Sequence, residues 1–255
     1  MTDDVSTFND CFTLFLDFLG SSAAATTWPR ERQYEFVDLL ISIAQMQSDL
    51  QIDGDAQADG GYKIVIRPNI TTFSDHIVVS YPGIPKEHCG EFYSPALDEL
   101  WSGIVLQEFV RVLSHVAEHG LRMGLLVRGG FTFGQLFHGQ GVVFGKAMVE
   151  AYKLESEIAT TPRIVASEAL IEKVRRDRSD NMKFFERDTD GHWHLNYFAG
   201  MVGDARQHGS DIGLWRTAHL ERIGQEIALL QQEATAHRDL KKWEWFKRHF
   251  EVAAR

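Results

Sequence analysis

What most constrains this chain is the order in which apolar, β-prone runs alternate with amphipathic helical stretches. Residues 10–18 form an apolar strand candidate, and Gly20–Ala25 follows as a small-residue loop. Trp28-Pro29 then opens a helix with proline in its first turn, running to about Leu50 through Phe36, Leu39, Leu40, Ile43 and Met46. Gln51 to Gly61 is a polar loop. Tyr62 to Asn69 alternates as a strand and His76 to Tyr81 is another, with Thr71-Thr72-Phe73-Ser74-Asp75 as the hairpin tip between them. Ser94-Pro95 caps a long helix to His119. Gly124–Phe133 and Leu136–Phe144 read as two strands, and Gly145–Ile158 as a helix. The order is β-α-β-β-α-β with additions: a short strand at Arg163–Ala166, a helix at Ser167–Arg176, a hairpin around Asp188–Gly191 and mostly helix from Asp211 to Phe250. This predicts an α+β domain over residues 1–205 with a helical C-terminal extension, residues 206–255, packed on it.

A β-α-β-β-α-β core sets the end of its first strand beside the hairpin that follows. Each of those places carries an acid: Phe15-Leu16-Asp17-Phe18-Leu19-Gly20 and Phe73-Ser74-Asp75-His76. Both acids interrupt apolar runs where a purely solvent-facing role is awkward. Side by side, Asp17 and Asp75 make an oxygen-rich site for divalent metals, which phosphoryl or nucleotidyl transfer uses to hold attacking and leaving oxygens. Backbone N–H groups where Phe18, Leu19 and Gly20 bend toward the helix can cradle phosphate oxygens.

The chain has 255 residues, 44% hydrophobic and 24% charged, the composition of an ordinary soluble globular protein. A net charge of −10 excludes a nucleic-acid polymer as the expected partner, because phosphate backbones demand a basic face. No apolar stretch reaches the ~18–20 residues of a membrane helix. The acidic start, Met1-Thr2-Asp3-Asp4, is unlike a secretory signal, and Cys11 and Cys89 read as reduced thiols, so a cytoplasmic location is expected. His192-Trp193-His194 sets two imidazoles on one strand face, a spacing that can bind zinc, but with no cysteine or acid close by as a partner. His115 and His119 are half a metal site at best, and Lys173, Arg175, Arg176 and Arg178 read as a solvated helix face.

Taken together, the motifs resemble the class III nucleotidyl cyclases. The similarity rests on Phe-x-Asp-x-x-Gly at Phe15, Asp17 and Gly20, the hairpin-tip Asp75, and Arg-x-Gly-x-x-x-Gly at Arg128, Gly130 and Gly134. It extends to the helix Phe144-Gly145 through Glu155-Ser156 and covers roughly residues 10–160. The resemblance implies a head-to-tail homodimer in which Asp17 and Asp75 hold two Mg2+ or Mn2+ ions per active site, and a partner copy supplies base-reading and transition-state groups.

The departures from the family pattern narrow what is implied. The family's transition-state Asn falls on Val149 and its Arg on Lys153, which keeps the charge and loses the planar fork. Its purine-reading Lys and Asp fall on Thr71 and Val142. Metal acids without purine readout resemble the pyrimidine cyclases of bacterial Pycsar anti-phage systems, to which Phe131-Thr132-Phe133-Gly134 and Trp243-Glu244-Trp245-Phe246 are also similar. That resemblance implies conversion of UTP to 3′,5′-cyclic UMP and pyrophosphate, and a separate effector activated by the cyclic nucleotide. Lys153 would then act in catalysis, and Asn69 and Thr71 would contact the base. CTP as substrate, or a catalytically silent nucleotide-binding domain, are the alternatives, and no single residue decides uracil against cytosine.

Overall fold

The computed structural model describes residues 8–46, 49–53, 63–84, 93–176, 180–233 and 236–254. The acidic N-terminus, Tyr62, Cys89, Arg178 and most of the Gln51–Gly61 loop lie outside the described residues. The fold is mixed α+β with a mostly antiparallel sheet. Strand β1 (Asn9–Leu19) leads into helices α1 (Ser21–Thr27) and α2 (Arg30–Ala44). A separate two-stranded sheet, β2 (Leu50–Asp53) and β3 (Lys63–Ile66), precedes the hairpin β4 (Asn69–Phe73) and β5 (His76–Pro82). Helix α3 (Pro95–Arg122) starts at a Ser94 cap, whose Oγ accepts from the Leu97 amide at 3.2 Å, and returns the chain to β6 (Leu126–Gly139).

Beyond β6 come β7 (Val142–Phe144), α4 (Lys146–Lys153), β8 (Ile164–Ala166), α5 (Glu168–Arg176), β9 (Phe185–Arg187) and β10 (Trp193–Leu195). Helices α6 (Phe198–Gln207), α7 (Ile212–Gln231) and α8 (His237–Ala253) complete the order. The main sheet runs β4-β5-β1-β6-β8-β10-β9, with β7 paired to β6. Within it β1 is central and antiparallel to both β5 and β6, while β6 and β8 are parallel.

Burial on both faces explains why β1 reads as an almost unbroken apolar run. Phe12, Leu14, Leu16 and Phe18 point into the main core with Trp101, Val105 and Phe109 of α3. On the opposite face Phe15 packs with Val78 and with Ala151 of α4. Helix α4 comes this close because β6 carries glycines there: a Cβ on Gly130 would collide with the Ala151 carbonyl and lie 2.7 Å from the Leu154 Cβ. The C-terminal helices share the main core through Ile223, Trp243, Trp245, Phe246 and Phe250. No helix among the described residues is long and apolar enough to cross a membrane.

Several elements differ from expectation. Thr71, Thr72 and Phe73 belong to β4, paired with Val78, Ile77 and His76, so the tip is Ser74-Asp75 alone and the strand partner is not Tyr62–Asn69. The Gly20–Ala25 loop is instead the start of α1, since alanine favours helix once Gly20, at φ 98°, has turned the chain. Phe18 and Leu19 do not bend away but continue the ladder against Val127 and Leu126. The strands expected at Gly124–Phe133 and Leu136–Phe144 are not divided between Phe133 and Leu136, where β6 runs unbroken. The chain turns at Gln140-Gly141, where both residues hold the positive φ values (52° and 76°) that a tight two-residue loop requires. Helix α6 fills a stretch with no expected element.

Candidate metal and phosphate site

Strand register assembles the site. Asp17 lies opposite His76 on β5 and opposite Arg128 on β6, which sets all three on the face that α4 partly covers. The two-residue turn between β4 and β5 brings Asp75 next to them. One ligand atom each from Asp17, Asp75 and His76 lies within 4.8 Å of the others, so the two predicted acids do meet. Mn2+ and Mg2+ take carboxylate oxygens, and an imidazole extends the set toward Mn2+. This donor set fits a divalent cation.

Hydrogen bonds and ion pairs surround the carboxylates. Arg128 Nε donates to Asp17 Oδ2 at 2.9 Å, and its Nη2 forms ion pairs with the same oxygen at 2.9 Å and with Glu155 Oε1 at 2.7 Å, an oxygen that accepts no hydrogen bond. Asp17 Oδ1 lies 3.8 Å from His76 Nε2, too long for a hydrogen bond, and the Glu155 carboxyl hydrogen-bonds to Asp17. Ser21 donates to Asp75 Oδ2, and Ser74 donates to Asp75 Oδ1 at 2.8 Å. Burial pushes the Asp75 carboxyl up, but the bonds from Ser21, Ser74 and its own amide outweigh it and leave the pKa below the ordinary value. Glu155 sits on a wide i→i+5 turn that continues α4. Its burial raises its pKa despite Arg128, with the Asp17 charge adding to the rise.

His76 is itself positioned by rings. It stacks on Phe73 with centroids 5.3 Å apart and planes 14° apart, and Phe15 lies 5.3 Å away on another side. His76, Arg128, Glu155 and Ser21 were not assigned roles from sequence. His76 has a readable signal, as the residue after the turn acid in a strand facing Asp17. Glu155 and Ser21 have none without the tertiary contacts.

The remaining predicted residues fall in different places. Phe18 is buried against Phe36, and its ring makes no contact with the acids. Leu19 is half-buried, and Gly20 is exposed at the α1 start. Asn69 is exposed at the start of β4, opposite Ser80. The Thr71 hydroxyl is 3.0 Å from Nε2 of His138, whose Nδ1 is 2.8 Å from the Ser80 hydroxyl. Burial lowers the His138 pKa to about 4, so the ring is neutral and tied to hydroxyls through both nitrogens. Lys153 is exposed on α4 and lines a cavity of about 670 Å³ with Lys146, Val149, Phe144 and Phe8, a set that contains neither acid. The structure thus groups Asp17 with Asp75 and does not bring Lys153 to them within one chain.

Set against known proteins, the chain matches no family model and no curated protein.

Proposed function

We propose that this protein is a class III cyclase-like pyrimidine nucleotide cyclase, converting UTP to 3′,5′-cyclic UMP and pyrophosphate. The observation that carries the reading is the meeting of Asp17, Asp75 and His76 within 4.8 Å at one end of a β-α-β-β-α-β sheet, with Arg128 against Asp17. The strand order β4-β5-β1-β6 is that of a ferredoxin-like core, which supports the cyclase comparison over an unrelated metal fold.

In the proposed reaction the ribose 3′-oxygen attacks the α-phosphorus in line. A 3′ O–P bond forms, the bond to the β-phosphate oxygen breaks, and pyrophosphate leaves while the hydroxyl proton passes to solvent. Two Mg2+ or Mn2+ ions, when bound, supply charge that acidifies the hydroxyl and neutralises the leaving pyrophosphate. Asp17 and Asp75 would hold them, with His76 beside both carboxylates. Arg128 orients Asp17 and adds a fixed positive charge beside the phosphates. Glu155 balances Arg128 and keeps its guanidinium in place.

A homodimer is part of the proposal. Val142, Phe144, Val149 and Tyr152 are large apolar side chains exposed on β7 and α4, with Phe144 67% and Val149 55% accessible. A second copy docked there would carry the Lys153 cavity toward the acids of the first. Thr71, held by His138, and Asn69 would then face the base. The product would act on a separate effector, as in Pycsar-type anti-phage defence. A silent nucleotide-binding domain is the second reading. It is favoured by Val149, an exposed apolar residue where the family resemblance puts a hydrogen-bonding Asn.

Incubation with each of the four ribonucleoside triphosphates and Mn2+, with chromatography of the products, tests the reading. Cyclic UMP and pyrophosphate from UTP are expected. Cyclic CMP alone would move the assignment to the cytidylate enzyme, and product from ATP or GTP alone would refute a pyrimidine cyclase. Binding of UTP without turnover would support the silent domain.

A further inference from the structure

A second group of ligand-type side chains lies far from the acids, where the C-terminal helix meets the β9–β10 hairpin. One ligand atom each from Asp188, His194 and His249 lies within 4.8 Å of the others. Asp188 leaves β9, His194 is the middle residue of β10 and His249 is on α8, so three separated segments converge. His194 was visible in sequence as part of His192-Trp193-His194, a pair lacking an acidic partner. The fold supplies that acid and a second imidazole, and His192 is not part of the group.

One observation beyond the grouping itself points to a ligand. His194 is only 2% accessible, yet its Nδ1 is buried with no hydrogen-bond partner. A buried ring nitrogen is normally satisfied, and a buried imidazole with an unpartnered nitrogen, grouped with a carboxylate and another imidazole, is what a site lacking its ion looks like. His249 is also prepared. Its Nδ1 lies 2.9 Å from the Trp245 carbonyl, a bond that puts the proton on Nδ1 and leaves Nε2 with a free lone pair. Its ring is held by stacking on Trp245, with centroids 3.8 Å apart.

The charges nearby permit a cation. Arg163 donates to Asp188 Oδ2 at 2.7 Å, which would repel an ion if Asp188 were its sole counter-charge. Arg163 is also gripped by Asp190 through both Nη1 and Nη2. Asp190 alone can therefore balance the guanidinium. Asp188 also accepts from Trp245 Nε1 at Oδ2 (3.1 Å) and from the Thr189 amide and hydroxyl at Oδ1 (2.7 and 3.2 Å), donors that orient the carboxylate and with which a cation would share it.

We propose that Asp188, His194 and His249 bind one transition-metal ion of the zinc type, clamping α8 onto the β9–β10 hairpin. Two imidazole nitrogens and one carboxylate oxygen are borderline donors that suit Zn2+ or Co2+ and discriminate against Mg2+. Water completes a four-coordinate shell. Ligand atoms of a tetrahedral zinc ion stand roughly 3.4 Å apart at bond lengths near ~2.1 Å, so the group must tighten slightly on binding. His249 is half-buried, and a small shift of α8 would carry its ring, with Trp245, toward the other two ligands. The site is independent of the nucleotide reading.

The test uses the full chain, stripped with chelator and titrated with Co2+ while visible ligand-field absorption and tryptophan fluorescence are followed. The expected result is one four-coordinate Co2+ per chain, counted from its intense nitrogen/oxygen bands and displaced by Zn2+ but not by Mg2+, while any Co2+ at Asp17 and Asp75 gives only weak oxygen-rich absorption that Mg2+ removes. Asp17→Asn should keep the intense bands, and His249→Gln should bind that ion more than about tenfold more weakly. Because Trp245 stacks on His249, Co2+ should quench its emission, and Trp245→Phe should remove that quenching even if His249→Gln folds poorly. Absence of stoichiometric binding, binding unchanged in a folded His249→Gln, or loss of the bands in Asp17→Asn would each overturn the site.

Discussion

Asp17 is engaged by Arg128 and by the Glu155 carboxyl, while Asp75 has both oxygens engaged by hydroxyls. Asp17 is thus tied to β6 and the turn after α4, and Asp75 to α1 and its own hairpin turn. Both acids were legible in the sequence because a charge inside an apolar run stands out. Their neighbours were not, because Arg128 and Glu155 reach Asp17 only through strand register and the α4 turn, across long sequence separations. Thr71 illustrates the limit. Its position suggested a base contact, but only the structure shows its hydroxyl joined to His138. That pair carries a pH prediction. Burial holds the His138 pKa at about 4 against an ordinary 6.5, so the unfolded chain binds the proton more readily. Stability should fall as pH drops from 6.5 through 4 and change little from this source below that. Urea denaturation across this range should show a shallower fall for His138→Gln than for the parent. Equal slopes would contradict a buried neutral imidazole.

Helix α4 and strand β6 show how an element-level motif acts. In the register against β1, Arg128, Gly130, Thr132 and Gly134 share one face with Asp17, Phe15, Thr13 and Cys11 as their opposites. The glycines admit the helix, and the arginine at the end of the row meets the acid. Gly130→Ala puts a methyl into the Ala151 carbonyl and should cost about 1–3 kcal/mol by displacing α4, read as a lower midpoint in denaturant. Gly141→Ala meets no atom within 4 Å but keeps an unfavourable positive φ, so its smaller loss separates strain from collision. A Gly130→Ala midpoint equal to that of the parent would mean the helix does not sit this close. Long periodic elements such as β1 and α3 were legible, whereas short ones depended on turn chemistry. The Gly20-Ser21-Ser22-Ala23 stretch offered no period to read, and the Gln140-Gly141 turn was hidden behind a continuous alternation in β6.

For the whole molecule, the central claims are that two copies associate and that the acid pair powers turnover. Phe144 and Val149 are exposed beside Val142 and Tyr152, and a charge at Val149 leaves the core untouched. Val149→Asp should convert a dimer to monomer in sedimentation, weakening association more than about tenfold, with turnover lost in parallel. A parent protein that is monomeric at assay concentration and still active would refute the shared site. The mixed α+β alternation was legible because long elements such as β1 and α3 announced their period, but the strand paired with β5 was expected at Tyr62–Asn69 and is Asn69–Phe73. The C-terminal helices were expected to pack on the domain, but not that Trp243, Phe246 and Phe250 would join the same core as β1 and α3. The most direct test of the account is Mn2+-dependent pyrophosphate release from UTP by the parent, Asp17→Asn and Asp75→Asn, with folding checked by circular dichroism. The account predicts release by the parent and a loss of at least about 100-fold in both folded variants, since each removes a charge from the cation site. Parent-like turnover in either variant would contradict it.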